Sequence, residues 1–195
     1  MSEVGGGGRR AGGRGRPALP AYPPRVGQIV AAARAVLAAE GVGALTMRRL
    51  AAELGIQAPS LYKHLPGKDF VADALIAAGL AEIGAVLHAA VAAAPPGRSM
   101  ADLLTAYRDF ALGEPNLYRL ATTQPLRRDA LPAGLEEWAG EPFFLATGEP
   151  HIAQALWSYA HGMVILELDG RYPDGSDLDV TWAAGAAAFQ AAAGR

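Results

Sequence analysis

Between Thr46 and Lys68 the chain reads Thr-Met-Arg-Arg-Leu-Ala-Ala-Glu-Leu-Gly-Ile-Gln-Ala-Pro-Ser-Leu-Tyr-Lys-His-Leu-Pro-Gly-Lys, and few backbone paths accept that order. Thr46 is a good helix N-cap, because its hydroxyl can take up a free backbone N–H at the helix start. Leu50, Ala51 and Leu54 then repeat at helical spacing and mark a buried face. Gly55 stands just past the last apolar turn, where a left-handed residue closes a helix. Pro59 fits the first turn of a second helix, where its missing N–H costs nothing. That helix is predicted from about Ala58 to His64. It buries Leu61 and Leu65 and turns Ser60, Tyr62, Lys63 and His64 to solvent. Two helices joined this tightly form a unit whose second helix fits the major groove of double-stranded DNA.

Charge is distributed as that reading requires. Residues 1–68 hold ten Lys/Arg against three Glu, while the remainder holds seven Lys/Arg against sixteen Asp/Glu. A basic front on an acidic body brings one end to phosphates and repels the other. The 195 residues allow a small head and a larger body. There is no cysteine, so no disulfide framework, Cys-ligated zinc site or thiol nucleophile is available. Gly, Pro or charge interrupts each apolar run, so no membrane span is expected. The N-terminus lacks the apolar core of a signal peptide, so export is not expected and a cytoplasmic location is.

An all-α fold in three parts is predicted. Residues 1–24 form a basic N-terminal arm, disordered because Gly5 to Gly8 and Pro17, Pro20, Pro23 and Pro24 forbid a long helix. Residues 25–70 form the helix-turn-helix head, with a first helix from Pro24 to Glu40 ended by Gly41. Residues 71–195 form a helical body that dimerises. A helix from Gly67 or Lys68 to Ala93 joins head to body as one element roughly 40 Å long. Helices follow from Ser99, which can cap the first of them, and near Leu117–Leu120. Pro125, Pro132 and Gly134 make 122–134 a loop, and Pro142 must start or kink any helix in 136–147. The strongest body helix runs from Glu149 or Pro150 to Gly170, with apolar lines on two sides that both need burial. An Ala-rich helix from Asp177 to Ala193 ends the body. In the arm, Arg14-Gly15-Arg16-Pro17 is similar to an AT-hook core, whose extended Arg14 and Arg16 can enter a narrow A·T-rich minor groove.

The ordered set Leu45-Thr46 … Leu50-Ala51 … Leu54-Gly55-Ile56 … Pro59-Ser60-Leu61-Tyr62-Lys63-His64 … Lys68 resembles the DNA-binding head of the tetracycline-repressor (TetR) family. Tyr107-Arg-Asp-Phe110, Glu114-Pro115-Asn-Leu-Tyr118-Arg-Leu120 and Trp157-Ser-Tyr-Ala-His161-Gly162 resemble a C-terminal ligand-binding class of the same family. The resemblance implies an all-helical homodimer whose last two long helices build a four-helix interface. It implies repression at a palindromic operator, relieved by a small-molecule effector bound in each body.

The residue types fit those tasks. Arg48 matches a guanine edge or a phosphate. Tyr62 can donate its hydroxyl to a phosphate; Lys63, His64 and Ser60 reach backbone or base edges, and Ala58 and Pro59 can touch thymine methyls. Lys68 adds its charge to the free N–H groups of a helix start, which also attract phosphate, and Thr46 stands at the start of the other helix of the unit. In the pocket that the resemblance implies, Tyr107, Trp138, Phe143, Phe144, Trp157 and His161 are the candidate lining. The four histidines show no close ligand spacing, and neither metal nor cofactor is expected. The chain has no Gly-x-Ser-x-Gly elbow, phosphate loop or dinucleotide fingerprint, so no enzyme is expected. The rival reading is a nucleoid-type architectural protein that coats DNA without an effector.

Overall fold

The computed structural model describes residues 15–194, and of Lys68 the backbone alone. Nine α-helices occur among the described residues, and no strand: α1 Pro24–Glu40, α2 Met47–Glu53, α3 Ala58–Leu61, α4 Lys68–Ala93, α5 Ser99–Gly113, α6 Pro115–Thr122, α7 Leu135–Thr147, α8 Pro150–Leu168 and α9 Leu178–Ala193. Local chemistry sets most of these limits. The Gly41 amide closes α1 on the Leu37 carbonyl at 2.9 Å with φ at +81°. Thr46 Oγ1 accepts from the Arg49 amide at 3.1 Å and starts α2. Gly55 takes φ +65° in the turn between α2 and α3.

Three local expectations change. The second helix of the head stops at Leu61, and 62–64 continue as turns. Pro66 lies shortly beyond, and the residue before a proline disfavours the helical region. Ser99 is the first residue of α5 rather than its cap; Arg98 holds the cap position without a side-chain bond. Pro142 does not start α7, which begins at Leu135 and has the proline inside it with the ring buried.

The head core joins Ile29, Val36 and Leu37 of α1 to Leu50, Leu61, Leu65 and Leu75. It also takes Leu117 and Leu120 from α6, so head and body share apolar contact. Arg34 of α1 reinforces this joint by pairing with Glu82 of α4 at 3.0 Å and Glu114 at 3.1 Å. The body core packs Leu87, Met100, Leu103, Tyr107, Tyr118, Phe143, Leu156, Val164 and Trp182.

Helix α4 lies at the centre, against α1, α5, α6 and α7. Its stretch Asp69–Ala93 is long and apolar enough to cross a membrane by length and composition alone, a length that no run was expected to reach. Half of its most apolar window is buried within the protein, against the neighbouring helices. Two of its glycines lie in close contact with their neighbours, where a Cβ would be tight or clash. One built at Gly79 would stand 3.1 Å from Leu117, and one at Gly84 would stand 2.6 Å from the Trp138 ring and 3.0 Å from the Ala139 Cα. In α9 the same holds at Gly185, where a Cβ would fall 2.0 Å from the Tyr159 hydroxyl. Gly185 is therefore an internal contact between α8 and α9, not an outward one. The outward face of α9 carries Val180, 63 % exposed, with Ala184, Ala187, Ala188 and Ala191.

Candidate functional site

Thr46, Arg48, Pro59, Tyr62, Lys63 and His64 are exposed, Tyr62 by 57 %, and Ala58 and Ser60 are half-buried beside them. The cations of the head divide into two sets. Arg49 is held by Glu40 at 2.6 Å and Glu53 at 2.8 Å, tying α1 to α2. Its guanidinium draws the Glu40 carboxyl below the usual range. Arg34 is committed to Glu82 and Glu114. Arg48 and Lys63, by contrast, make no ion pair with any described residue and stand in solvent on α2 and just after α3. Thr46 spends its acceptor on the Arg49 amide but keeps its O–H proton for an outside acceptor such as a phosphate oxygen. An outward face with unmatched cations, hydroxyl donors and a short helix can bind a phosphate backbone and reach base edges.

The arm residues expected to reach DNA are placed differently. Arg14 lies outside the described residues. The Arg16 guanidinium sits 5.9 Å from the centre of the Trp138 ring, on the body. The other neighbour of that ring is His88, stacked at 4.8 Å, whose Nε2 donates to the Trp138 carbonyl at 2.9 Å.

A cavity of about 640 Å³ opens in the body between α4, α5, α6, α7 and α8, a size suited to a drug-sized molecule. Tyr107, Phe143, Phe144, Trp157 and His161 line it, as the sequence reading expects. Trp138 does not. It is only 4 % exposed, because the missing Cβ at Gly84 lets α4 and α7 approach with the indole between them.

Sequence reasoning did not single out Tyr118, Gln124, Gln154 or the acidic rim of Glu136, Glu137 and Glu141, which also line the space. For Tyr118 a signal exists: a tyrosine within an apolar helical pattern needs a partner for its hydroxyl. Its partners are Tyr107 Oη at 2.9 Å and His161 Nδ1 at 2.7 Å. The result is a buried polar line across α5, α6 and α8. Burial pushes the Tyr107 phenol up to about 12, against a smaller opposing effect of hydrogen bonds from Tyr118 and Trp157. It raises Tyr118 still further and holds His161 below its ordinary value. At neutral pH all three groups are uncharged, so the cavity floor offers hydrogen bonds without charge. On the rim, Arg128 grips Glu136 with two bonds of 2.7 Å.

Comparison with known proteins covers both regions. Residues 29–75 match the family model described as bacterial regulatory proteins, tetR family. Residues 100–189 match one described as tetracyclin repressor-like, C-terminal domain. An HTH-type transcriptional regulator of Mycobacterium tuberculosis, Rv0681, is 30 % identical over 161 residues, which span 75 % of this chain and 71 % of that protein. Among solved structures, one assigned to a regulatory protein, SCO4313, superposes with a TM-score of 0.66 at 26 % identity, covering 84 % of this chain and 93 % of that one. A Rhodococcus sp. RHA1 protein of unknown function gives 0.70 at 24 % identity, over 84 % and 92 % of the two chains.

Proposed function

Because the chain belongs to the TetR family of DNA-binding transcriptional regulators, we propose that it is a cytoplasmic, homodimeric repressor that leaves a palindromic operator when a small molecule fills the body cavity. The observation that carries this reading is the division of cations in the head. Arg34 and Arg49 are consumed inside the protein, while Arg48 and Lys63 face outward unmatched beside Tyr62. Residues 25–70 act as the DNA-binding unit, 71–195 as the effector-binding and dimerising unit, and 1–24 as an arm. Thr46, Ser60 and Tyr62 supply hydroxyl donors, Ala58 and Pro59 apolar contact, and His64 and Lys68 further contacts to the backbone or bases. No catalytic step is assigned to any residue.

Control follows from α4. It starts at the head with Lys68, and its residues Gly79, Leu80, Ile83 and Leu87 form one wall of the cavity. A molecule seated against that wall tilts the helix and respaces two heads that must meet major grooves one turn apart, roughly 34–36 Å. Linkage makes the effect mutual. If effector weakens DNA binding tenfold, DNA weakens effector binding tenfold, about 1.4 kcal/mol of coupling.

Footprinting over the DNA flanking the protein's own gene is the test. A protected palindrome that is lost on adding effector supports the repressor. Uniform coverage insensitive to small molecules assigns the chain to the architectural, effector-free class instead.

A further inference from the structure

We infer that the body cavity selects a flat, largely apolar molecule bearing a carbonyl oxygen, an aromatic ketone or ester, and that His161 holds this oxygen through its Nε2–H. The inference rests on the reading of that cavity as the effector site. The direction of the buried hydrogen-bond line carries it. Tyr107 Oη stands 2.9 Å from Tyr118 Oη, which stands 2.7 Å from His161 Nδ1. Two phenol protons and one imidazole proton could run along that line in either sense. With the proton on Nδ1, His161 donates to Tyr118 and Tyr118 to Tyr107. The Tyr107 proton is then stranded, because no other described residue accepts from that hydroxyl; its remaining neighbour, the Trp157 indole, only donates. Tyr107 is 2 % exposed, and a buried donor without an acceptor is costly. In the opposite sense Tyr107 donates to Tyr118, Tyr118 donates to Nδ1, and both phenol protons are used. Burial keeps the ring neutral at neutral pH, so its single proton sits on Nε2.

That Nε2–H is a donor kept for an outside partner. It bonds to no described residue, and the ring lines the cavity. The two ring nitrogens diverge, so tying Nδ1 to Tyr118 aims Nε2 away from the buried line. The ring cannot reverse its polarity without stranding the Tyr107 proton again. Other polar groups of the lining do not select in this way. Thr122 spends its hydroxyl proton on the Tyr118 carbonyl at 2.7 Å. The Gln124 and Gln154 amides each offer a donor and an acceptor together. The shape of the partner follows from the surroundings of the ring. Trp157 lies 28° from parallel to His161 and is 47 % exposed, and Ile83, Leu87, Phe143 and Phe144 continue the apolar wall. An aromatic molecule seated against Trp157 gains ring contact while its carbonyl accepts from Nε2.

Fluorenone and fluorene, which differ only in a carbonyl against a methylene at one ring position, test the inference on the intact chain. Equilibrium dialysis should show fluorenone binding about fivefold tighter than fluorene. His161→Phe should bring the two probes within about twofold of each other, chiefly by weakening fluorenone. Gly140→Trp on α7, where a Cβ meets nothing within 4 Å, combined with Gln154→Trp on α8, fills the cavity from two lining positions and should abolish binding of both. If His161→Phe fails to melt cooperatively, wild-type protein labelled with nitrogen-15 histidine carries the same test by NMR. One ring should then show a bare Nδ1 and an Nε2–H proton that shifts with fluorenone and not with fluorene. Equal binding of the two probes, a preference that survives His161→Phe, or the absence of such a ring overturns the His161 assignment; if the double Trp variant still blocks binding, the effector cavity stands. Binding that survives the double Trp variant, or no binding of either probe, overturns the cavity reading and the assignment together.

Discussion

Arg48 and Arg49 are neighbours in sequence with opposite surroundings. Arg49 lies between Glu40 and Glu53, while Arg48 points to solvent. Replacing Arg48 or Lys63 by Ala should therefore weaken operator binding by roughly 1–3 kcal/mol each and leave the melting temperature near wild type. Arg49→Ala should do the reverse in kind, lowering the melting temperature by freeing α2 from α1. Filter binding and differential scanning calorimetry on the same three proteins distinguish the two behaviours, and equal DNA affinity in all three would remove the proposed face from DNA. His161 has a pH consequence. Its folded pKa lies below the unfolded value of 6.5 because burial disfavours the charged ring, so the unfolded chain binds more protons as pH falls through about 6.5. Stability should drop from pH 7 toward pH 5. The groups facing the ring are Tyr118, bonded to it, and Trp157, stacked 6.3 Å away, and neither carries charge there. His161→Gln should flatten the drop; the same slope in both proteins, read from urea midpoints, would place its origin elsewhere. What the sequence could not show at this scale was partnership. Tyr118 and His161 lie 43 positions apart, and no local pattern reveals that they are hydrogen-bonded.

Helix limits were the most legible feature, because caps and breakers act within a few residues. Thr46, Gly41, Gly55 and the prolines at the starts of α1 and α8 placed several ends correctly. The errors arose where tertiary packing overrode local preference. Helix α7 begins at Leu135 rather than at Pro142, whose ring is buried inside it. Trp138, a candidate for the pocket that the resemblance implies, is drawn instead against α4 by the absence of a side chain at Gly84. That last point is testable. Gly84→Ala would ordinarily favour a helix, but here the new methyl meets an aromatic ring at 2.6 Å and backbone at 3.0 Å. The substitution should cost about 1–3 kcal/mol through overpacking. Gly140→Ala, at a helical glycine with open space around it, should be neutral or stabilising. A Gly84→Ala protein as stable as the Gly140→Ala protein in chemical denaturation would show that α4 and α7 are free to separate.

At the scale of the molecule, the exposed Ala and Val face of α9 with Leu166 of α8 is the surface a second copy is proposed to cover, in a two-fold, self-complementary contact. Ala184→Arg should place an unpaired charge in that contact and give a monomer in light scattering at micromolar concentration. Gly185 cannot serve as the probe, because any side chain there strikes Tyr159 within the protomer. A wild-type monomer under the same conditions would refute the two-fold assembly. Deleting residues 1–20 removes four arginines, so operator affinity should fall and its salt dependence flatten. An unchanged salt slope would keep the arm off DNA, with Arg16 remaining on Trp138. The glycine contacts of α4 have one more consequence. Most helix pairs meet through long side chains, which bend and absorb small displacements as a cushion does. At Gly79 and Gly84 α4 itself has no side chain to bend: its backbone meets the Leu117 side chain, near the head, and the Trp138 ring and Ala139 backbone, in the body. In the control proposed above, α4 would then act as a shaft held at two points, carrying a push in the cavity to the DNA end.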